Sequence, residues 1–334
     1  MEMRKARFHG GVLAIGLLIG LVSGGCGESG ATVSAATTAD PLRQRDQDLQ
    51  ILRPYLALGD SVAFGYNPVD AQKDPANLAA FVAYPELISL ALIPTANAAC
   101  EGETSGSFID VTRPDQGSPD CRAWRAAGDA MHVHYAGAAQ SQLQFAVGYL
   151  LSHRNTATVS IGIGGGDLLS LGATCAAAFN TNDPAYAQEV AGCELQQAPA
   201  VLAQTAQNIA TIVGTIRSIG YTGQLVLVTY PAEQYSNLND VNLIATAGLD
   251  RAMVGVAQAF PQWNVSIAKG FSTFGAIATL LGGGDSCKAG LLYRLPDGTC
   301  DIHPSRFGHT QLAAAVASAV PATSIDLNAS PPQY

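Results

Sequence analysis

Residues 55–65 read YLALGDSVAFG. The apolar run at 55–58 is typical of a buried strand, and the turn that begins at Gly59 brings Ser61 to the start of a helix. The N-terminus of such a helix has free N–H groups and the positive end of the helix dipole, which can stabilise a developing oxyanion. The stretch therefore predicts a strand–turn–helix unit that exposes a nucleophile.

Apolar β-prone runs and helical runs alternate along the rest of the chain. Strands are predicted at 54–59, 157–164, 223–229 and 262–268, with a weaker one at 132–136. Helices are predicted at 78–92, 140–153, 199–219, 241–260 and 305–319, and long loops at 101–131 and 170–198. The strands are continuous apolar runs, which are typical of strands covered on both faces. The pattern predicts an α/β fold with a parallel sheet between helices, and functional groups at the carboxyl ends of its strands.

The N-terminal segment has the features of an export signal. Basic residues precede an apolar run at 12–22, and small residues precede Cys26. The run is short for a membrane span, and the order of regions is that of a signal peptide. We expect residues 1–25 to be a signal of the bacterial lipoprotein type, with Cys26 lipidated, or alternatively an ordinary secretory signal. Residues 26–50 are small and polar and read as a tether, so the folded domain is expected at 51–334.

Cysteine usage fits an exported chain. Apart from Cys26 there are six cysteines, which predict three disulfide bonds among Cys100, Cys121, Cys175, Cys193, Cys287 and Cys300. Sequential pairing is the simplest of the 15 possible connectivities. A zinc site is the alternative, but there is no CxxC motif or His cluster to support it, so no metal is expected.

The formal net charge is −9 at pH 7. Such an acidic chain is a poor partner for nucleic acid or for an anionic lipid surface. We expect a monomer whose only membrane contact is an N-terminal lipid anchor.

Four short blocks, spread over residues 54–320, resemble the SGNH hydrolases, also called GDSL esterases and lipases. The resemblance implies a three-layer α/β/α sandwich, flavodoxin-like, with a parallel sheet of about five strands. In the first block, Gly59 to Gly65, it implies that Ser61 is the nucleophile. In the second block it implies that the backbone N–H of Gly102 contributes to an oxyanion hole together with that of Ser61.

The third block departs from the family pattern GxND. Here residues 164–167 read GGGD, so Gly166 occupies the oxyanion-hole position of the Asn and supplies no side chain. Losing one oxyanion donor typically costs about 10²–10³ in turnover. Three explanations stay open: a weaker enzyme, a donor from elsewhere such as Asn67 or Asn97, or a protein that has lost activity. Asp167 is interpreted as structural.

The fourth block resembles the family's DxxHP and implies that His303 is the general base. The Asp normally lies three residues before the His, but here that position is Cys300, and Asp301 lies two residues before. Either Asp301 reaches the imidazole, or a backbone carbonyl near Cys300 orients it. Both arrangements can hold the imidazole and stabilise its charged form.

The resemblance implies a serine esterase or lipase that acts on a small ester or lipid outside the cytoplasm and needs no cofactor. The alternative, supported by Gly166, is a surface binding protein that kept the fold and lost or weakened the activity.

Overall fold

The structure is a computed structural model that describes residues 54–73, 80–89, 95–113 and 140–320. Its main sheet has five parallel strands in the order β2-β1-β3-β4-β5. These strands are β1 Tyr55–Gly59, β2 Thr95–Asn97, β3 Thr158–Gly162, β4 Gln224–Val228 and β5 Val265–Ala268. The predicted parallel α/β sheet is confirmed. Strand β2 was not predicted, and the weak strand expected at 132–136 lies outside the described residues.

Ten α-helices lie within the described ranges. They are α1 Ser61–Phe64, α2 Pro68–Lys73, α3 Tyr84–Ser89, α4 Ser105–Ile109, α5 Gln142–Ser152, α6 Gly165–Ala178, α7 Tyr186–Ser218, α8 Val241–Ala259, α9 Gly270–Gly282 and α10 Arg306–Ala319. None of the helices searched, which are those of the described residues, is long and apolar enough to cross a bilayer.

The prediction of a long loop at 170–198 is wrong. Helix α6 continues to Ala178, and α7 begins at Tyr186 and runs for 33 residues with Pro199 inside it. The Gly, Pro and Cys residues of this region suggested a loop, since proline is poorly tolerated inside a helix. Packing of α7 on the sheet and on α6 and α8 overrides that local preference.

Alternate residues of the central strands pack on opposite faces of the sheet. Leu225 and Leu227 of β4 belong to a buried cluster with residues of α5, α7 and α8. Val226 and Val228 belong to a second cluster with residues of α1, α9 and α10. Because side chains alternate along a strand, both faces of the sheet are covered, as a three-layer α/β/α sandwich requires.

A two-stranded antiparallel hairpin follows α9. It consists of β6 Leu292–Arg294 and β7 Cys300–Pro304, and it leads directly into α10. The sequence did not predict this hairpin. It places β7 against α1, the helix that begins at Ser61.

Candidate active site

The turn after β1 brings three backbone segments close together. A Cβ atom at Gly59 would lie 2.1 Å from the carbonyl oxygen of Gly162, so only glycine fits where β1 meets β3. Asp60 is the N-cap of α1, and its carboxylate accepts a hydrogen bond of 3.1 Å from the backbone N–H of Val62. Ser61 is therefore the first residue of a helix at the carboxyl end of a central strand, as the sequence predicted.

The side chain of Gln142 holds this turn in place. Its Oε1 accepts from the N–H of Gly59 at 2.6 Å, and its Nε2 donates to the carbonyl of the same residue at 2.9 Å. The Nε2 also donates to Glu103 at 3.2 Å. Gln142 lies 83 residues from Gly59, and its role was missed because nothing in the local sequence points to it.

Ser61, His303 and Asp301 form one hydrogen-bonded chain. Ser61 Oγ and His303 Nε2 are 2.8 Å apart, and His303 Nδ1 contacts Asp301 Oδ1. The same Asp301 oxygen accepts from the backbone N–H of His303 at 2.9 Å. Burial pushes the pKa of Asp301 up, but its hydrogen bonds with His303 and the charge of that ring outweigh this and hold the pKa below its usual value. The carboxylate is therefore ionised where it faces the imidazole.

The geometry of β7 explains why an Asp two residues before the His can replace one three residues before it. Residues 301–303 lie in an extended strand, so side chains at positions 301 and 303 point to the same face. Cys300 points to the other face and forms a disulfide with Cys287, which we call the hairpin disulfide. Of the two arrangements left open by the sequence, the structure has Asp301 on the imidazole.

Two backbone N–H groups of the first and second sequence blocks, those of Ser61 and Gly102, have no hydrogen-bond acceptor among the described residues. Gly102 has a φ of 80° in a buried turn. This turn follows Cys100, whose N–H donates to the carbonyl of Gly59 at 2.9 Å. Both N–H groups are therefore available to a ligand, as expected for the first two oxyanion donors.

Gly166 is not among the described residues that line the cavity next to Ser61. The N–H of Gly166 donates to the carboxylate of Asp60. A Cβ at Gly166 would lie 2.2 Å from the carbonyl oxygen of Glu103, so the backbone of this position packs directly on residues 103–104. A side chain at this position therefore has no space in the present backbone arrangement.

The other polar residues of interest have structural partners. Asp167 accepts from the N–H and the hydroxyl of Ser105 at 2.8 and 2.7 Å, which supports its structural interpretation. Asn67 is paired with Asp70. Asn97 donates to the carbonyl of Ala63 at 2.8 Å and also to Glu86. Neither Asn is therefore a free substitute for the missing oxyanion donor.

A buried tyrosine lies next to the nucleophile turn. Tyr230, just after β4, donates to Asp60 at 2.5 Å and accepts from the N–H of Gly165. Burial raises the pKa of Asp60 to about 6. The sequence analysis missed Tyr230. The available signal was its position at the carboxyl end of a parallel strand, where functional groups collect.

A cavity of about 370 Å³ opens beside Ser61 and His303. Its walls come from the loop after β4 and from α6, α7 and α8. Its apolar lining residues are Val62, Leu168, Leu169, Leu171, Ala173, Pro231, Ala232, Ala245, Leu249 and Ile302. This volume is within the range of small-molecule sites.

Two of the sequentially paired disulfides are confirmed. One is the hairpin disulfide, and the other joins Cys175 of α6 to Cys193 of α7, which we call the helix disulfide. Cys100 is disulfide-bonded, and its expected partner, Cys121, lies outside the described residues. The helix disulfide joins α6 to α7, two of the helices that line the cavity. The hairpin disulfide joins Cys287 to the strand that carries His303.

Comparison with known proteins gave matches to solved structures. No protein-family model and no curated protein matches the chain. A phospholipase A1 from Streptomyces albidoflavus NA297 and an extracellular lipase from Streptomyces rimosus each match with 16% identity and a TM-score of 0.49, over 80% of this chain and 100% of theirs. An acetylxylan esterase from Geobacillus stearothermophilus matches with 15% identity and a TM-score of 0.44, over 80% of this chain and 93% of its own. Each of these matches is a similarity at low sequence identity.

Proposed function

We propose that this protein is a serine hydrolase of the SGNH type that cleaves carboxylic esters. The observation that carries the proposal is the hydrogen-bonded chain from Ser61 through His303 to Asp301 at the wall of a cavity. A serine hydroxyl is a weak nucleophile until an adjacent base removes its proton, and this contact supplies the base.

In the proposed mechanism, Ser61 Oγ attacks the ester carbonyl while His303 takes its proton. Asp301 holds the imidazole in orientation and stabilises its charged form. The N–H groups of Ser61 and Gly102 stabilise the oxyanion, each donor of this kind being worth about 10²–10³ in turnover. His303 then protonates the leaving alcohol, and the same groups activate water to release the acyl group.

The lining of the cavity bears on the substrate, and the disulfides bear on the location. The predominantly apolar lining of the cavity supports a small ester or lipid substrate. The two disulfides support action outside the cytoplasm, as a lipoprotein or a secreted protein. We expect a monomer, attached to the membrane only if Cys26 is lipidated.

The test is hydrolysis of p-nitrophenyl acetate, butyrate, octanoate and palmitate by the full chain, beside Ser61→Ala and the control Ser218→Ala. Ser218 is the last residue of α7, is exposed, and is not among the residues that line the cavity. We expect activity in the wild type and in the control, and loss of activity in Ser61→Ala. A fluorophosphonate should label the wild type and the control covalently but not Ser61→Ala, since only an activated serine reacts readily. Equal rates or equal labelling for wild type and Ser61→Ala would contradict the proposal and favour a binding protein.

A further inference from the structure

The lining of the cavity beside Ser61 is rich in carboxylates. Apart from Asp60, which is buried under Tyr230, it includes Glu194 and Glu233. Among the described residues that line the cavity there is no Lys or Arg. Within the described part of the chain, neither glutamate has an ion-pair partner. A catalytic cavity with this lining attracts positive charge and repels negative charge.

Glu233 lines the same cavity as Ser61 and His303. Burial, followed by the charges of Asp240 and Asp301, raises the pKa of Glu233. Since His303 protonates the leaving alcohol in the proposed mechanism, that alcohol departs within the cavity that Glu233 lines. The backbone here is fixed, because the N–H of Ser286 donates to the carbonyl of Glu233 at 2.9 Å.

Glu194 is the second carboxylate of the lining. It belongs to α7, and its Oε1 would lie 3.2 Å from a Cβ placed at Gly172 of α6, so it extends across the helix pair that lines the cavity. Partial burial raises its pKa, which shows that water screens this carboxylate less than a fully exposed one. The two glutamates therefore add carboxylates to a mostly apolar lining.

We propose that the cavity selects carboxylic esters whose alcohol carries a positive charge, with Glu233 as the main specificity-determining residue. This inference rests on the proposed ester hydrolysis. An apolar acyl group packs on the Leu-rich wall formed by α6 and α8, and the cationic alcohol lies beside Glu233. An anionic ester of the same size is disfavoured, because it would bring a negative charge to a cavity with unpaired carboxylates.

The test compares three butyrate esters: that of choline, its uncharged isostere 3,3-dimethylbutyl butyrate, and the anionic 3-sulfopropyl butyrate. Release of butyric acid by the full chain is followed in a pH-stat, and kcat/KM is measured for each. We expect the choline ester to exceed the neutral ester by about fivefold, the combined effect of two partly exposed carboxylates, and the anionic ester to be the slowest.

The control variants separate the charge effect from a general loss of activity. Glu233→Gln should lower the ratio of choline to neutral ester to about twofold, and high salt should lower the wild-type ratio, because screening weakens exposed charge pairs. Glu189→Gln, on α7 but outside the cavity lining, should leave the ratio unchanged. A wild-type ratio of one or below, or a ratio that Glu233→Gln does not alter, would overturn the inference while leaving Ser61-dependent hydrolysis intact. If no ester is hydrolysed in a Ser61-dependent way, the proposed function itself fails, and this inference with it.

Discussion

Replacing Gly166 with Ala or Asn is expected to lower both stability and ester turnover, although Asn is the residue of the SGNH pattern at this position. A Cβ at Gly166 would lie 2.2 Å from the carbonyl oxygen of Glu103 and 3.0 Å from its carbonyl carbon. Real Cβ atoms essentially never approach a backbone atom this closely, so one of the two segments must move.

Neither segment can move freely. The carboxylate of Glu103 accepts from Ser107 at 2.7 Å and from Gln142 at 3.2 Å, and Ser105 is bonded to Asp167 at 2.8 Å. Overpacking at such a site typically costs about 1–3 kcal/mol. For a domain of this size that corresponds to a fall in Tm of roughly 3–10 °C. Movement of residues 103–104 also shifts the neighbouring Gly102, and misplacing a catalytic group by about 1 Å can cost 10²-fold in rate.

The assay is thermal unfolding together with kcat/KM on p-nitrophenyl butyrate. Gly255→Ala is the matched control, because Gly255 is also inside a helix but a Cβ there meets no atom within 4 Å. The control should gain roughly 0.5–1 kcal/mol, since Ala is the better helix former. If Gly166→Ala proved as stable as Gly255→Ala, or if Gly166→Asn raised turnover, the reasoning about this contact would be refuted.

Three further predictions concern the same region. Asp301→Asn should lower kcat by about 10²–10⁴-fold with little change in KM, because the imidazole loses its charged partner; an unchanged kcat would mean that a backbone carbonyl orients His303. Burial raises the pKa of Asp60 to about 6 from 3.8, so its contribution to stability is present below about pH 4 and is lost as the pH rises through 6. The stability of Asp60→Asn relative to wild type should therefore grow by about 3 kcal/mol between pH 4 and pH 7, and a difference in Tm that is flat with pH would exclude this. Removing the hairpin disulfide by paired Cys→Ser changes should lower kcat, whereas removing the helix disulfide should mainly raise KM; their loops of 13 and 18 residues predict similar losses of stability, about 3 kcal/mol each, so identical kinetic effects would argue against separate roles.

Short motifs predicted the catalytic candidates because each motif is local. The strand, turn and helix around Ser61 and the extended segment at 300–304 are encoded by neighbouring residues. The choice between Asp301 and a backbone carbonyl needed the structure, since it depends on whether residues 301–303 form a strand or a turn. The parallel sheet was predictable because buried strands have continuous apolar runs.

Long-range contacts were not predictable from a single sequence. Tyr230 reaches Asp60 across 170 residues, and Gln142 reaches Gly59 across 83. The room for a side chain at Gly166 is limited by the backbone of Glu103, about 60 residues earlier in the chain. Only the three-dimensional structure shows that a side chain does not fit there. The helix predicted at 199–219 is the second part of α7, and only its first part, 186–198, was wrongly predicted as a loop.

The bond between Ser61 Oγ and His303 Nε2 joins residues that are 242 positions apart. Contacts of such separation form late in folding, because the loop-closure entropy has to be overcome first. Ser61 and His303 therefore cannot meet until the hairpin of β6 and β7 has docked against α1. In a chain made from its N-terminus, position 303 is among the last parts of the described domain to be added, so this pair forms only when almost all of that domain is present.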